Sequence, residues 1–160
     1  MARNRTAKAL VVTAISATLF ATSSGVSSAS ESQNGSVTWK NKRTKLYLEW
    51  GRNTQQVWTD SGNGVLSRWY DEQTNDGSYV ERGAIRTCLT NYNDLVYTEP
   101  CDGDASANAS NWYQRWYEIS TPTGWKLQNR MTGRILDSNE YGQVYTLGDF
   151  GDSDLNQRWE

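Results

Sequence analysis

Three stretches of this chain close on an Arg-Trp pair: Ser67-Arg68-Trp69, Gln114-Arg115-Trp116 and Gln157-Arg158-Trp159. The tryptophans lie 47 and 43 residues apart. Trp is a rare residue, so three such pairs at near-equal spacing imply one supersecondary unit written three times. The rest of each unit repeats too. Val57-Trp58-Thr59, Val96-Tyr97-Thr98 and Val144-Tyr145-Thr146 are equivalent, as are Leu48, Leu89 and Leu136. The gaps between these anchors vary by a few residues, as loops do.

Short runs rich in Val, Leu, Tyr, Trp and Thr are separated by Gly, Asn and Asp clusters, which reads as strands joined by turns. Strands are expected at 45–50, 55–59, 79–82, 95–98, 124–128 and 143–147. Turns are expected at Asn75-Asp76-Gly77, Ser61-Gly62-Asn63-Gly64 and Pro122-Thr123-Gly124. Four strands in each of three units give about twelve, and chains of this kind close into barrels or sandwiches. The threefold repeat selects a β-trefoil with a pseudo-threefold axis. Trp69, Trp116 and Trp159 are then core residues that meet near that axis, each bringing a large apolar area.

The first 29 residues read differently. Arg3, Arg5 and Lys8 form a basic start, Ala9 to Ala21 is apolar, and Ser27-Ser28-Ala29 supplies small residues for cleavage. The apolar run is shorter than the roughly 20 residues of a spanning helix, so residues 1–29 read as a secretory signal peptide. Residues 30–36 are expected to be a disordered lead-in, and 37–160 one repeat domain with units 37–69, 70–116 and 117–160. All 18 acids but only 13 of the 16 bases follow Ala29, so the exported chain carries a net charge of −5. An acidic surface of this kind argues against nucleic acid as a partner. Cys88 and Cys101, the only cysteines, read as a disulfide in an exported chain.

The Gln-x-Trp endings, the Cys88-Leu89 segment and the Val-Tyr-Thr segments resemble the ricin-type lectin domain, in particular its small secreted actinobacterial members. The likeness runs from about Val37 to Glu160, clean in the second and third units and degraded in the first, where Ser67 replaces Gln. It implies carbohydrate binding at up to three shallow sites, one per unit. The family's site carboxylate corresponds to Asp137 in the third unit, to Thr90 in the second and to Glu49 in the first. Its Asn-Gln pair corresponds to Asn156-Gln157, Tyr113-Gln114 and Leu66-Ser67. The aromatic of the Val-x-Thr strand is Tyr145, Tyr97 or Trp58; the family's usual stacking platform lies two residues beyond Tyr145, where Leu147 stands.

The chemistry of such a site stands on its own. A sugar offers hydroxyls and an apolar C–H face, so it is met by a carboxylate, amides and an aromatic ring. Asp137, Tyr145, Asn156 and Gln157 are the leading set, with Thr90, Tyr97 and Gln114 the second. A structural role competes with this: Asp137 can bond the turn at Ser138-Asn139, while Asn156 and Gln157 can satisfy buried backbone. The rival function is a protein-binding adaptor in a larger secreted complex, for which Trp50 and Trp58 are candidate hot spots if exposed. Catalysis is not expected, because a chain with no His lacks Ser-His and Cys-His machinery and the common metal sites. Asp60-Ser61-Gly62 matches the aspartic-protease tripeptide, but that chemistry needs two facing copies. Asp71-Glu72 and the acidic loop from Asp149 to Asp154 are expected to be solvated. A glycan ligand, a secreted protein partner as alternative, no cofactor, no metal, and a monomer without a membrane span complete the expectations.

Overall fold

The computed structural model describes residues 35–83, 86–102 and 110–160. The expected signal peptide and residues 30–34 of the expected lead-in lie outside them. Eleven strands follow in order: β1 (Gly35–Val37), β2 (Tyr47–Trp50), β3 (Val57–Asp60), β4 (Trp69–Gln73), β5 (Tyr79–Arg82), β6 (Thr87–Tyr92), β7 (Leu95–Pro100), β8 (Trp116–Thr121), β9 (Gly124–Asn129), β10 (Ile135–Ser138) and β11 (Val144–Leu147). Gly35 and Ser36, assigned from sequence to the lead-in, pair with β4 as part of β1. One-turn 3₁₀ segments at Val65–Ser67, Trp112–Gln114 and Leu155–Gln157 each lead into an Arg-Trp pair, a feature the patterning did not reveal.

The all-β class stands, but the β-trefoil of about twelve strands is corrected. Seven strands close a barrel in the order β5-β6-β7-β11-β10-β9-β8, completed where Tyr79 of β5 pairs with Trp116 of β8. Strands β1 and β4 extend the sheet from β5, while β2 and β3 form a separate two-stranded sheet. The three sequence units therefore contribute unequally to the barrel. The physical reason lies in the first unit. Among the described residues its hairpin joins the other two units through single bridges, Gln56↔Tyr97 and Trp58↔Gln143, and not through a ladder.

Local bonding nevertheless recurs. The buried indoles of Trp69, Trp116 and Trp159 donate through Nε1 to the carbonyls of Leu48, Leu89 and Leu136 at 3.0, 2.9 and 3.2 Å. A buried N–H left unpaired costs about 1–3 kcal/mol, so each bond lets a large apolar ring be buried without that penalty. These rings share one core with Trp39, Trp50, Leu127 and the three leucines. The amide of each Val-x-Thr threonine reaches the preceding unit in cyclic order: Thr59 N to Gly142 O at 2.9 Å, Thr98 N to Gln55 O at 2.8 Å and Thr146 N to Asp94 O at 3.1 Å. The disulfide Cys88–Cys101 ties β6 to the end of β7 across a separation of 13 residues. On the chain-entropy model a loop of that size contributes about 3 kcal/mol.

Candidate functional site

The β10–β11 hairpin places Asp137 directly opposite Tyr145. In an antiparallel pair, residues at such positions touch on the same face. Behind them the 3₁₀ turn Leu155–Gln157 is capped by the Asp154 carboxylate, which accepts from Asn156 N at 3.1 Å, and so delivers Gln157 to the hairpin. Gln157 Nε2 donates to Gly148 O at 2.8 Å and its Oε1 accepts from Phe150 N at 3.1 Å. That fixes the amide's orientation. Gln157 and Tyr145 lie beside the Asp137 carboxylate and favour its charged form.

Asp137 is only 2% exposed, and its Oδ1 has no hydrogen-bond partner among the described residues. Its pKa is pushed up to about 6, first by burial and second by the charge of Asp154, against the opposing effect of Gln157 and Tyr145. Burial, then the Asp137 charge, raises the Tyr145 phenol as well. Tyr145 itself is half-buried, so one edge of the group meets solvent. The structure thus brings together Asp137, Tyr145 and Gln157. Asn156 enters through its backbone: its amide meets Asp154 and its carbonyl accepts from Asn41 Nδ2 at 2.7 Å.

The second set is arranged differently. Thr90 and Tyr97 face each other across β6 and β7, but the buried Thr90 hydroxyl donates to Cys88 O at 3.0 Å. Gln114 repeats the task of Gln157: Nε2 donates to Pro100 O at 3.1 Å and Oε1 accepts from Asp102 N at 2.9 Å. Its Nε2 also meets Glu99 Oε1 at 3.1 Å, and Asn111 Nδ2 joins at 3.3 Å. Glu99 therefore supplies a carboxylate that the residue pattern, which put Thr90 in that place, did not indicate. Its only sequence signal is its position directly after Val96-Tyr97-Thr98. Asp154 was missed in the same way, inside a loop read as solvated.

In the first unit Glu49 lies opposite Trp58. Burial, then the Asp60 charge, raises its pKa, and a hydrogen bond from Trp58 opposes them. Trp50 is not available as an exposed hot spot; it is 2% exposed and donates to Arg68 O at 3.1 Å. Of the two acid sets expected to be solvated, Asp71 is corrected, while Asp149 and Asp152 of the loop are exposed. Asp71 is buried and accepts from Gly35 N at 2.8 Å, and Glu72 pairs with Arg82 at 3.2 Å. In the loop, Asp149 holds Lys126 at 2.6 Å and Asp152 holds Arg158 at 2.9 Å. Asp71 is drawn in by a backbone amide, whereas the loop carboxylates meet their cations while still in water.

Several solved structures resemble this chain. The cytolethal distending toxin of Haemophilus ducreyi aligns at a TM-score of 0.63 and 13% identity, over 78% of this chain and 81% of that one. SeviL, solved bound to the asialo-GM1 saccharide, aligns at 0.63 and 16% identity, over 79% and 95%. ThreeFoil, a designed 3-fold symmetric protein, aligns at 0.61 and 17% identity, over 79% and 96%. At these identities the likeness is one of fold alone. No family model matches the chain, and no curated protein does. Among the described residues no helix is long and apolar enough to cross a membrane.

Proposed function

We propose that this is a secreted, non-catalytic carbohydrate-binding protein of the ricin-type lectin kind, with its leading site at Asp137, Tyr145, Asn156 and Gln157. One observation carries the reading: the orphaned Oδ1 of Asp137 beside a half-buried tyrosine. Buried polar atoms rarely lack a partner, and a donor from outside the protein would complete this one. Asp137 is only 2% exposed, so such a donor, a sugar hydroxyl for example, reaches it only if the half-buried Tyr145 shifts. The Tyr145 edge offers the apolar surface that a sugar's C–H face needs. SeviL, whose structure carries a saccharide, supports the reading by its similar fold.

Asp137→Asn keeps the shape and removes the charge-assisted acceptor, so glycan-array signal should fall about tenfold or more. An unchanged signal in the folded variant would overturn the assignment of this site. The adaptor alternative draws support from the second unit, where the Thr90 hydroxyl is committed to backbone, and from the likeness to the cytolethal distending toxin. Capture of a glycan-free secreted protein by the purified chain, with no glycan retained on the array, would favour it.

A further inference from the structure

A second opening, with Asp137 not among its lining residues, lies where the Val-x-Thr segments of all three units converge. It is a cavity of about 590 Å³ with Val57, Val96 and Val144 among its lining residues. Small-molecule sites run to about 300–1,000 Å³, so a sugar ring or two fit. Trp58, Tyr97 and Tyr141 supply aromatic surface, and Gln55, Gln56 and Gln143 supply amides. No charged side chain lines it. We infer that this mouth is a binding site for a neutral saccharide that shares the β10–β11 hairpin with Asp137 but does not include Asp137 in its lining.

The mouth is built, not incidental. Two backbone bridges, Gln56↔Tyr97 and Trp58↔Gln143, set the glutamines beside the aromatic residues across unit boundaries. Gln143 is also oriented: its Oε1 accepts from Asn139 Nδ2 at 2.7 Å, which leaves Nε2 as a donor. Gly142 makes the wall possible. It has φ +80, its carbonyl accepts from Thr59 N at 2.9 Å, and a Cβ there would lie 2.7 Å from Thr59 O. Tyr141, 80% exposed, stands at the rim beside it.

The chemistry selects the ligand. Aromatic faces take the C–H face of a pyranose, and amides both give to and accept from its hydroxyls. Without a cation in the lining, a phosphate or nucleic acid has no counter-charge there. A neutral sugar loses little by leaving water for such a surface, whereas a sialic acid would bring an unpaired carboxylate.

The test uses the full chain and four probes: the neutral sugars D-glucose, D-galactose and N-acetyl-D-glucosamine, and sialic acid as the charged control. Side-chain amide and indole NMR signals are followed during titration into the millimolar range, where small exposed sites bind. Saturable shifts of the Gln56 and Gln143 amides and the Trp58 indole are expected with at least one sugar. Tyr141→Ala and Gln143→Ala, which leave the core untouched, should each weaken that response about tenfold. Asp137→Asn should leave it unchanged, which separates this site from the hairpin site. The inference is overturned if those signals stay still with all three sugars, or respond equally to sialic acid. It is also overturned if the shifts disappear in Asp137→Asn while surviving in Tyr141→Ala and Gln143→Ala.

Discussion

Asp137 is held at a cost to the fold, and that cost has a pH signature. Its folded pKa of about 6 lies above the ordinary 3.8, because burial and Asp154 both disfavour the charge. Between those two values the folded protein binds more protons than the unfolded chain. Stability therefore falls as pH rises from 3.8 through about 6, then levels off. Asn at this position removes the charge with almost no change of shape. Thermal melts of Asp137→Asn should match the native protein near pH about 3.5 and exceed it at pH about 8, by up to about 3 kcal/mol. A variant less stable than the native protein at the higher pH would mean that the carboxylate serves the fold and not a ligand. A gain in stability coupled to loss of sugar binding is the expected mark of a residue kept for function.

At the scale of elements, the β4–β5 turn shows how a short loop is clamped from outside its own unit. Asp76 accepts from Thr74 Oγ1 and Ser78 Oγ, both at 2.6 Å, and from Ser78 N at 3.1 Å. Arg130, from the segment after β9, reaches it at 2.8 Å. Burial works against the charge, but the Ser78 and Thr74 hydrogen bonds and Arg130 outweigh it and hold the carboxyl well below the usual range. Its contribution is present above pH 3.8 and is lost as pH falls further. Asp76→Asn should cost ~2 kcal/mol near neutrality and flatten the acid limb of the stability curve; an acid limb as steep as the native one would place that dependence elsewhere. The turn itself was legible in Asn75-Asp76-Gly77, because turn chemistry is local. So was β5, whose apolar positions announce a strand. The 3₁₀ turn at Leu155–Gln157 was not, since its cap, Asp154, sits among acids that pattern alone cannot rank. Glu99 was hidden for a related reason: its partners Gln114 and Asn111 lie a whole loop away.

At the scale of the molecule, repetition was legible and closure was not. Equal spacing of Arg-Trp pairs reports a shared local bond, indole to leucine carbonyl, and that bond is present in all three places. Which strands then close a barrel depends on ladder lengths between distant segments, which spacing does not encode. The consequence is an asymmetry that can be measured. Trp116 in β8 and its acceptor Leu89 in β6 both lie in the seven-strand barrel, and Leu136 in β10, the acceptor of Trp159, lies there too. Trp69 in β4 instead reaches Leu48 in β2, across from the extended sheet to the separate hairpin. Replacing Trp by Phe removes the N–H and leaves a buried carbonyl unpaired, at about 1–3 kcal/mol in each case. Trp116→Phe and Trp159→Phe should therefore lower protection from hydrogen exchange throughout the barrel, as a loss of global stability does. Trp69→Phe should loosen chiefly the amides of β2 and β3, leaving the barrel protected. Equal loss of protection at all strands in all three variants would mean that the hairpin opens only with the whole molecule.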